Sequence, residues 1–223
     1  PVNLGLALLN MVLMRLTIGS LAYLSAIMAK EQGIGLLNMW PIAISVSIVA
    51  TLLLLDLAIY GQHILMHQWP FLWRLHQVHH ADITFDATTA VRFHPLEIIL
   101  SMLYKTLCII LIGGLPDAII VFEIILNGAA TFNHGNVNIP DRIDKLLRWL
   151  IITPDMHRIH HSVEPDETNS NYGFSISCWD RWFKTYKTNS KHDQTTMDIG
   201  LKTHRKQNEL GFLRCLALPF KSY

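Results

Sequence analysis

The chain has 223 residues, 51% of them hydrophobic, a mean hydropathy of +0.29 and a formal net charge of +1. So balanced a charge argues against a nucleic-acid partner. Its three cysteines, Cys108, Cys178 and Cys215, are far apart and form no C-x-x-C pair, which excludes a disulfide framework and a thiolate metal site.

Leu4 to Met28 is a first apolar run, about the length of a bilayer crossing, interrupted by Arg15. Trp40 to Ile59 is a second and cleaner run, with a tryptophan suited to the interface at its start. Asp56, Tyr60, His63 and His67 follow at steps of four, three and four, one polar stripe that carries the helix out of the lipid. Asp56 reads equally as a helix-end residue or as an acceptor that orients a histidine, and Tyr60 is open in the same way. Pro70 breaks that helix, and Leu72 to His80 starts another. Residues 81–95 are polar and irregular, with His94 expected to hold the loop against the core. Leu96–Ile112 and Pro116–Thr131 are two further apolar runs joined by Gly113-Gly114-Leu115. Lys105, Asp117 and Glu123 sit at or inside these runs. An ionisable residue in a membrane segment flags function, although Glu123 also suits an interface. His134 follows the fourth run. Arg142 to Ile152 has the pattern of an amphipathic helix, and Thr153-Pro154-Asp155 has that of a helix start. Trp179, Trp182, Phe183 and Tyr186 are expected to pack beneath the histidine-bearing helices. His192 and His204, in a lysine-rich stretch, are expected to be solvated.

The histidines are the strongest signal. His63 and His67 form H-x-x-x-H, while His76, His79, His80 and His157, His160, His161 form two copies of H-x-x-H-H. Residues three and four apart share a helix face, so each group aims its imidazoles at one point. A lone H-x-x-x-H arises by chance, and a single histidine on an apolar face is ordinarily core or surface. Three groups in one short chain are different, because clustered imidazoles repel when charged and need partners when buried. A metal removes both problems. Eight imidazoles exceed the four ligands of an ordinary zinc site, so two metals are expected, with His134 a further candidate ligand.

These readings give an all-α fold: an integral membrane helical bundle of about four apolar helices (4–28, 40–59, 96–112 and 116–131). Residues 60–95 and 133–186 form a helical cap carrying a histidine-rich two-metal site, and 1–223 is expected as a single membrane-embedded domain. Arg74, Arg92, Arg142, Lys145, Arg148, Arg158 and Arg181 all lie in the histidine-bearing segments, which puts that cap on the cytoplasmic side of a multi-pass protein. A non-catalytic membrane metal protein is the alternative, but a carrier should string its ligands along a path through the bilayer. A soluble zinc hydrolase lacks its H-E-x-x-H.

The stretches HILMH, LWRLHQVHH, RFHPLE, FNHGN, TPDMHRIHH, NSNYG and WDRWFKTY resemble the fatty acid hydroxylase superfamily, in its sterol desaturase-like branch. The resemblance implies an integral membrane oxidoreductase of lipid metabolism, a di-iron monooxygenase whose histidine boxes hold two Fe2+ ions. It implies O2 as co-substrate, electrons from a separate electron-transfer protein, and hydroxylation or desaturation of an unactivated C–H bond in a lipid or sterol. The implied ligands are His63, His67, His76, His79, His80, His134, His157, His160 and His161. Many members carry a second histidine four residues after the one at 134, where this chain has Asn138, which leaves the second metal one ligand short. Lys184 stands where a glycine is common. Imidazole suits iron and is neutral, so such a site keeps the full charge of its metals. Asp155, Glu167, Asn171 and Asp180 are candidate partners for the ligands. A bacterial inner membrane is expected in preference to the endoplasmic reticulum.

Overall fold

A computed structural model describes residues 2–206 and 209–221. Eleven α-helices and a few short 3-10 turns account for its regular structure, with no β-strand among the described residues. The helices are α1 (Val2–Leu16), α2 (Leu21–Glu31), α3 (Ile44–Gln68), α4 (Pro70–His80), α5 (Pro95–Ile112) and α6 (Pro116–Asn133). Then come α7 (Asp141–Leu147), α8 (Pro154–His160), α9 (Pro165–Thr168), α10 (Cys178–Trp182) and α11 (Phe212–Ala217).

Prolines punctuate the bundle. Pro70, Pro95 and Pro116 each open a helix at its first turn, where a missing N–H costs nothing. Trp69 ends α3 and begins α4 in an extended conformation, as expected of a residue before proline. The helix through the second apolar run therefore continues unbroken to Gln68 and delivers His63 and His67 beyond the apolar part.

α3 is the central element and packs against α4, α5 and α6. Ala22 and Ala26 of α2 are small enough to let that helix settle against Leu55, Ile59, Ile109, Ile119 and Phe122, and these residues form the main core. At the end of the bundle remote from the histidines, backbone meets backbone. A Cβ at Gly35 would stand 2.3 Å from the Gly113 nitrogen, and both glycines have positive φ (98° and 72°). Outward-facing Leu103, Leu107 and Leu111 of α5 and Ile120 and Ile124 of α6 give the bundle an apolar exterior.

Three expectations change here. The first apolar run is two helices, broken at residues 17–20: the Gly19 N–H reaches back to the Met14 carbonyl (2.7 Å), where a Cβ would clash at 2.8 Å. Three segments, Val2–Asn38, Ile44–Gln68 and Pro95–Ile112, are long and apolar enough to cross a membrane, in place of about four. α6 is not among them, because Asp117, Glu123, Asn127 and Asn133 dilute its apolar residues. The amphipathic helix after residue 141 is also shorter than expected and ends at Leu147.

Candidate metal centre

α3, α4, α6 and α8 deliver nine histidines to one buried volume beside the bundle. His63 and His67 come from the end of α3, His76, His79 and His80 from α4, His157 and His160 from α8 and His161 from its C-cap. α8 begins as the sequence indicates, with the Thr153 hydroxyl accepting the Met156 N–H (3.4 Å). His134 caps the C-terminus of α6. The nitrogens fall into two sets, each with its ligand atoms within 4.8 Å of one another: His63, His67, His76, His80 and His160, and His79, His134, His157 and His161. Asn138 lies outside both, exposed in the loop between α6 and α7.

Proton positions test whether this arrangement suits a cation. His63 Nδ1 is 2.7 Å from the Tyr172 carbonyl oxygen, His160 Nδ1 2.7 Å from that of Ser170, and His134 Nδ1 2.8 Å from that of Ala130. A carbonyl only accepts, so each Nδ1 carries the proton and each Nε2 of a neutral ring is a lone pair. His76 Nδ1 likewise donates to Glu97 Oε1 at 2.6 Å. Yet His63 Nε2 stands 3.2 Å from His76 Nε2 and 3.1 Å from His160 Nε2. His134 Nε2 stands 3.1–3.2 Å from the Nε2 atoms of His79, His157 and His161. Among His63, His76 and His160 lone pairs face one another with no proton between them, and the one lone pair of His134 Nε2 can accept from only one of the three nitrogens around it; a metal cation turns both arrangements into coordination. His67 and His80 have no hydrogen-bond partner at either buried nitrogen, which fits the same explanation.

Protons compete poorly here. Burial first, and neighbouring imidazoles second, hold His79, His80, His157 and His161 well below the ordinary imidazole range. Burial pulls His134 down to about 4 and His160 to about 3. All six are therefore neutral at pH 7, the form that ligates metal.

The groups that orient the rings are mostly not those singled out from sequence. Glu97, in the first turn of α5, is the one carboxylate that touches a clustered histidine among the described residues. Its only advance signal is an acidic residue opening an apolar helix, in the RFHPLE stretch. The backbone carbonyls of Ala130, Ser170 and Tyr172 leave no side-chain signature at all. Asp56 accepts the Trp179 indole N–H at 2.8 Å and touches no histidine, and Tyr60 hydrogen-bonds Thr185. Asp155 pairs with Arg158, Glu167 accepts the Lys191 N–H, and Asn171 bonds Met156 and Lys187. Asp180 acts at one remove. It accepts the N–H groups of Tyr172 (2.8 Å) and Gly173 (2.9 Å), fixing the turn whose carbonyl meets His63. Burial pushes the Asp180 carboxyl up, while those N–H groups and the Thr185 hydroxyl oppose the shift.

His94 does what its sequence context suggests, capping α5 through the Leu96 N–H and reaching the Leu216 carbonyl. Of the four aromatics expected beneath the site, Trp179 is buried against Tyr60 and Tyr172, whereas Trp182 and Phe183 face outward. His192 is exposed, as expected of a solvated residue, while His204 is half-buried beside the Thr203 hydroxyl. Phe93 stacks on His79, with 4.6 Å between centroids and 7° between planes.

A cavity of about 190 Å³ adjoins the first set. It lies between α3, α5 and α6, with His63 and His76 in its wall and Ile59, Leu126 and Phe174 among its apolar lining.

Known proteins are similar to this chain in sequence. The ornithine lipid hydroxylase OlsE of Rhizobium tropici is 28% identical over 82% of this chain and 52% of its own length. The alkylglycerol monooxygenase of Xenopus tropicalis is 30% identical over 61% of this chain and 29% of its own. Human cholesterol 25-hydroxylase is 24% identical over 64% and 52%. The chain thus spans about half the length of the first and third of these relatives and under a third of the second. No solved structure matches it significantly. A sequence model described as fatty acid hydroxylase matches residues 48–185, which include all nine clustered histidines and Glu97. On that match, the chain belongs to the fatty acid hydroxylase family.

Proposed function

We propose that this chain is a membrane-embedded catalytic unit, working as one domain, of an O2-dependent lipid hydroxylase with two Fe2+ ions. The observation that carries this reading is the division of nine histidines, eight of them buried and His67 half-buried, into sets of five and four, beside a cavity among apolar helices. His63, His67, His76, His80 and His160 would hold one iron, and His79, His134, His157 and His161 the other. Bound iron would supply O2 activation and cleavage of an unactivated C–H bond.

The protein's own residues do the rest. Glu97 and the carbonyls of Ala130, Ser170 and Tyr172 fix four rings with the lone pair on Nε2, so the ligands need little rearrangement to bind. Burial keeps His79, His80, His134, His157, His160 and His161 neutral and limits access of water. The cavity presents a lipid segment to the His63 and His76 side of the site. Three relatives are named as lipid hydroxylases or monooxygenases, which favours hydroxylation over desaturation. Hydroxylation by O2 consumes two electrons beyond those of the C–H bond, and a separate electron-transfer protein is the proposed donor. Eight arginines and lysines in the histidine-bearing segments support a cytoplasmic position for the site, in a bacterial inner membrane rather than the endoplasmic reticulum. The carrier alternative fits less well, because all nine histidines gather at one end of the bundle.

The test is metal content. Protein purified in detergent after growth with iron should hold close to two irons per chain, falling sharply in His157→Ala, and should oxidise a lipid with O2 and a reductant. Zinc alone, or no metal, under iron-replete growth would overturn the reading.

A further inference from the structure

Two charged side chains meet inside the apolar bundle. Lys105 of α5 and Glu123 of α6 form an ion pair, with side chains 10% and 33% exposed. Ionisable residues at such a depth are costly and generally serve a function. α5 and α6 are joined by a short turn, yet they splay apart and pack on α2 and α3 rather than on each other. The ion pair bridges that splay.

Both residues line the cavity that reaches His63 and His76. Glu97, Ser101 and Lys105 follow at four-residue steps on one face of α5. The cavity thus runs about 12 Å along the helix, from the Glu97–His76 contact to the ammonium. An ammonium offers three N–H donors. Among the described residues Glu123 is the partner of Lys105 Nζ, so two of those donors have no protein partner. The Glu123 carboxylate keeps acceptor capacity beyond the lysine. As a unit the pair is neutral, so a charged ligand would bring an uncompensated charge into the bundle. A neutral group that accepts from Lys105 and donates to Glu123 fits, and a hydroxyl does both.

We propose that Lys105 and Glu123 select the substrate: a lipid bearing a hydroxyl, gripped by this pair about 12 Å from the carbon presented to His63 and His76. This rests on the hydroxylase reading above and adds the chemistry of what is hydroxylated. At about 190 Å³ the cavity is smaller than the ~300–1,000 Å³ of whole-ligand sites. It takes the segment between the hydroxyl and the reacting carbon, and the remainder of the lipid leaves through the splay.

The test is binding, read without turnover. Iron-loaded protein in detergent is titrated with dodecan-1-ol, dodecyl methyl ether and dodecane, and dissociation constants are taken from the rise in thermal midpoint. The alcohol should bind at least tenfold more tightly than dodecane, with the ether between them. In the double variant Lys105→Met/Glu123→Leu, the alcohol's advantage should fall below twofold. Replacing a buried ion pair by apolar residues is often tolerated. Should that variant unfold, Ser101→Leu narrows the cavity one turn from Lys105 and should weaken alcohol binding at least fivefold. Equal binding of alcohol and dodecane by the unmodified protein, an advantage that survives the double variant, or indifference to Ser101→Leu would each overturn the proposal. A protein that shows the pair-dependent preference but oxidises no lipid would refute the hydroxylase reading alone.

Discussion

The two histidine sets are built to different standards. In the five-histidine set, His63, His76 and His160 are each oriented from behind, by the Tyr172 carbonyl, Glu97 and the Ser170 carbonyl. In the four-histidine set only His134 has such a partner, the Ala130 carbonyl one turn back in its own helix, and the Nδ1 atoms of His79, His157 and His161 have none. Aromatic contacts stand in for them: Phe93 lies flat on His79, and the Phe85 ring lies 5.0 Å from His161. The lesson is that equal density of histidine does not give equal preorganisation. One set is held by hydrogen bonds to the fold, the other largely by packing.

The bluntest way to break the comparison is to remove one oriented ligand. His160→Ala should abolish lipid oxidation and leave at most one iron per chain, as counted by elemental analysis. Full metal content in that variant would contradict the assignment of five ligands. Next in size is Glu97→Gln, which keeps the shape and weakens the grip on the His76 proton. A loss of about 10–100-fold in metal affinity or activity is expected, as for other partners of metal-bound histidine. A chelator titration sharpens the contrast. Iron should leave in two phases, the first from the four-histidine set, and His157→Ala should lack that phase while keeping the second. A single phase in the unmodified protein would mean that the sets act as one.

A smaller effect is expected from pH. His134 and His160 have folded-state values of about 4 and about 3, against an ordinary value near 6.5. Between those limits the unfolded chain binds more protons than the folded one, so the metal-free protein should lose stability progressively as pH falls below about 6.5. Denaturant midpoints at pH 7.5 and 5.5 measure this, and equal midpoints would argue against neutral buried imidazoles. The smallest expected effect is none. Asn138→His should leave metal content unchanged, because position 138 is exposed and apart from the cluster. A gain in bound metal would show that the loop can fold inward.

The candidate ligands were legible because coordination demands helical spacing, and H-x-x-H-H writes that spacing into the sequence. The continuation of α3 to His67 was legible for the same reason. Glu97 escaped because it meets His76 across 21 residues and a change of helix, and no local pattern encodes such a contact. The carbonyls of Ser170 and Tyr172 escaped because every residue has one. Asp56 was even between two readings, and only the fold, by bringing Trp179 to it, decides the matter. The break near Gly19 was hidden by apolar composition, which measures the length of a run but not its straightness.

The contact of Gly35 with Gly113 has a mechanical consequence. It clamps the apex of the α5–α6 hairpin against the chain after α2, and a Cβ at Gly35 would meet only backbone, with no side chain to give way. The two helices then behave as the arms of a pair of tongs whose pivot at Gly113 lies about 24 Å along α5 from Glu97 at the histidine end. A small tilt at the pivot becomes a large change in the gap at the tips. A single methyl at either glycine would therefore reset the gap between the two helices at the cavity, without touching a residue that lines it.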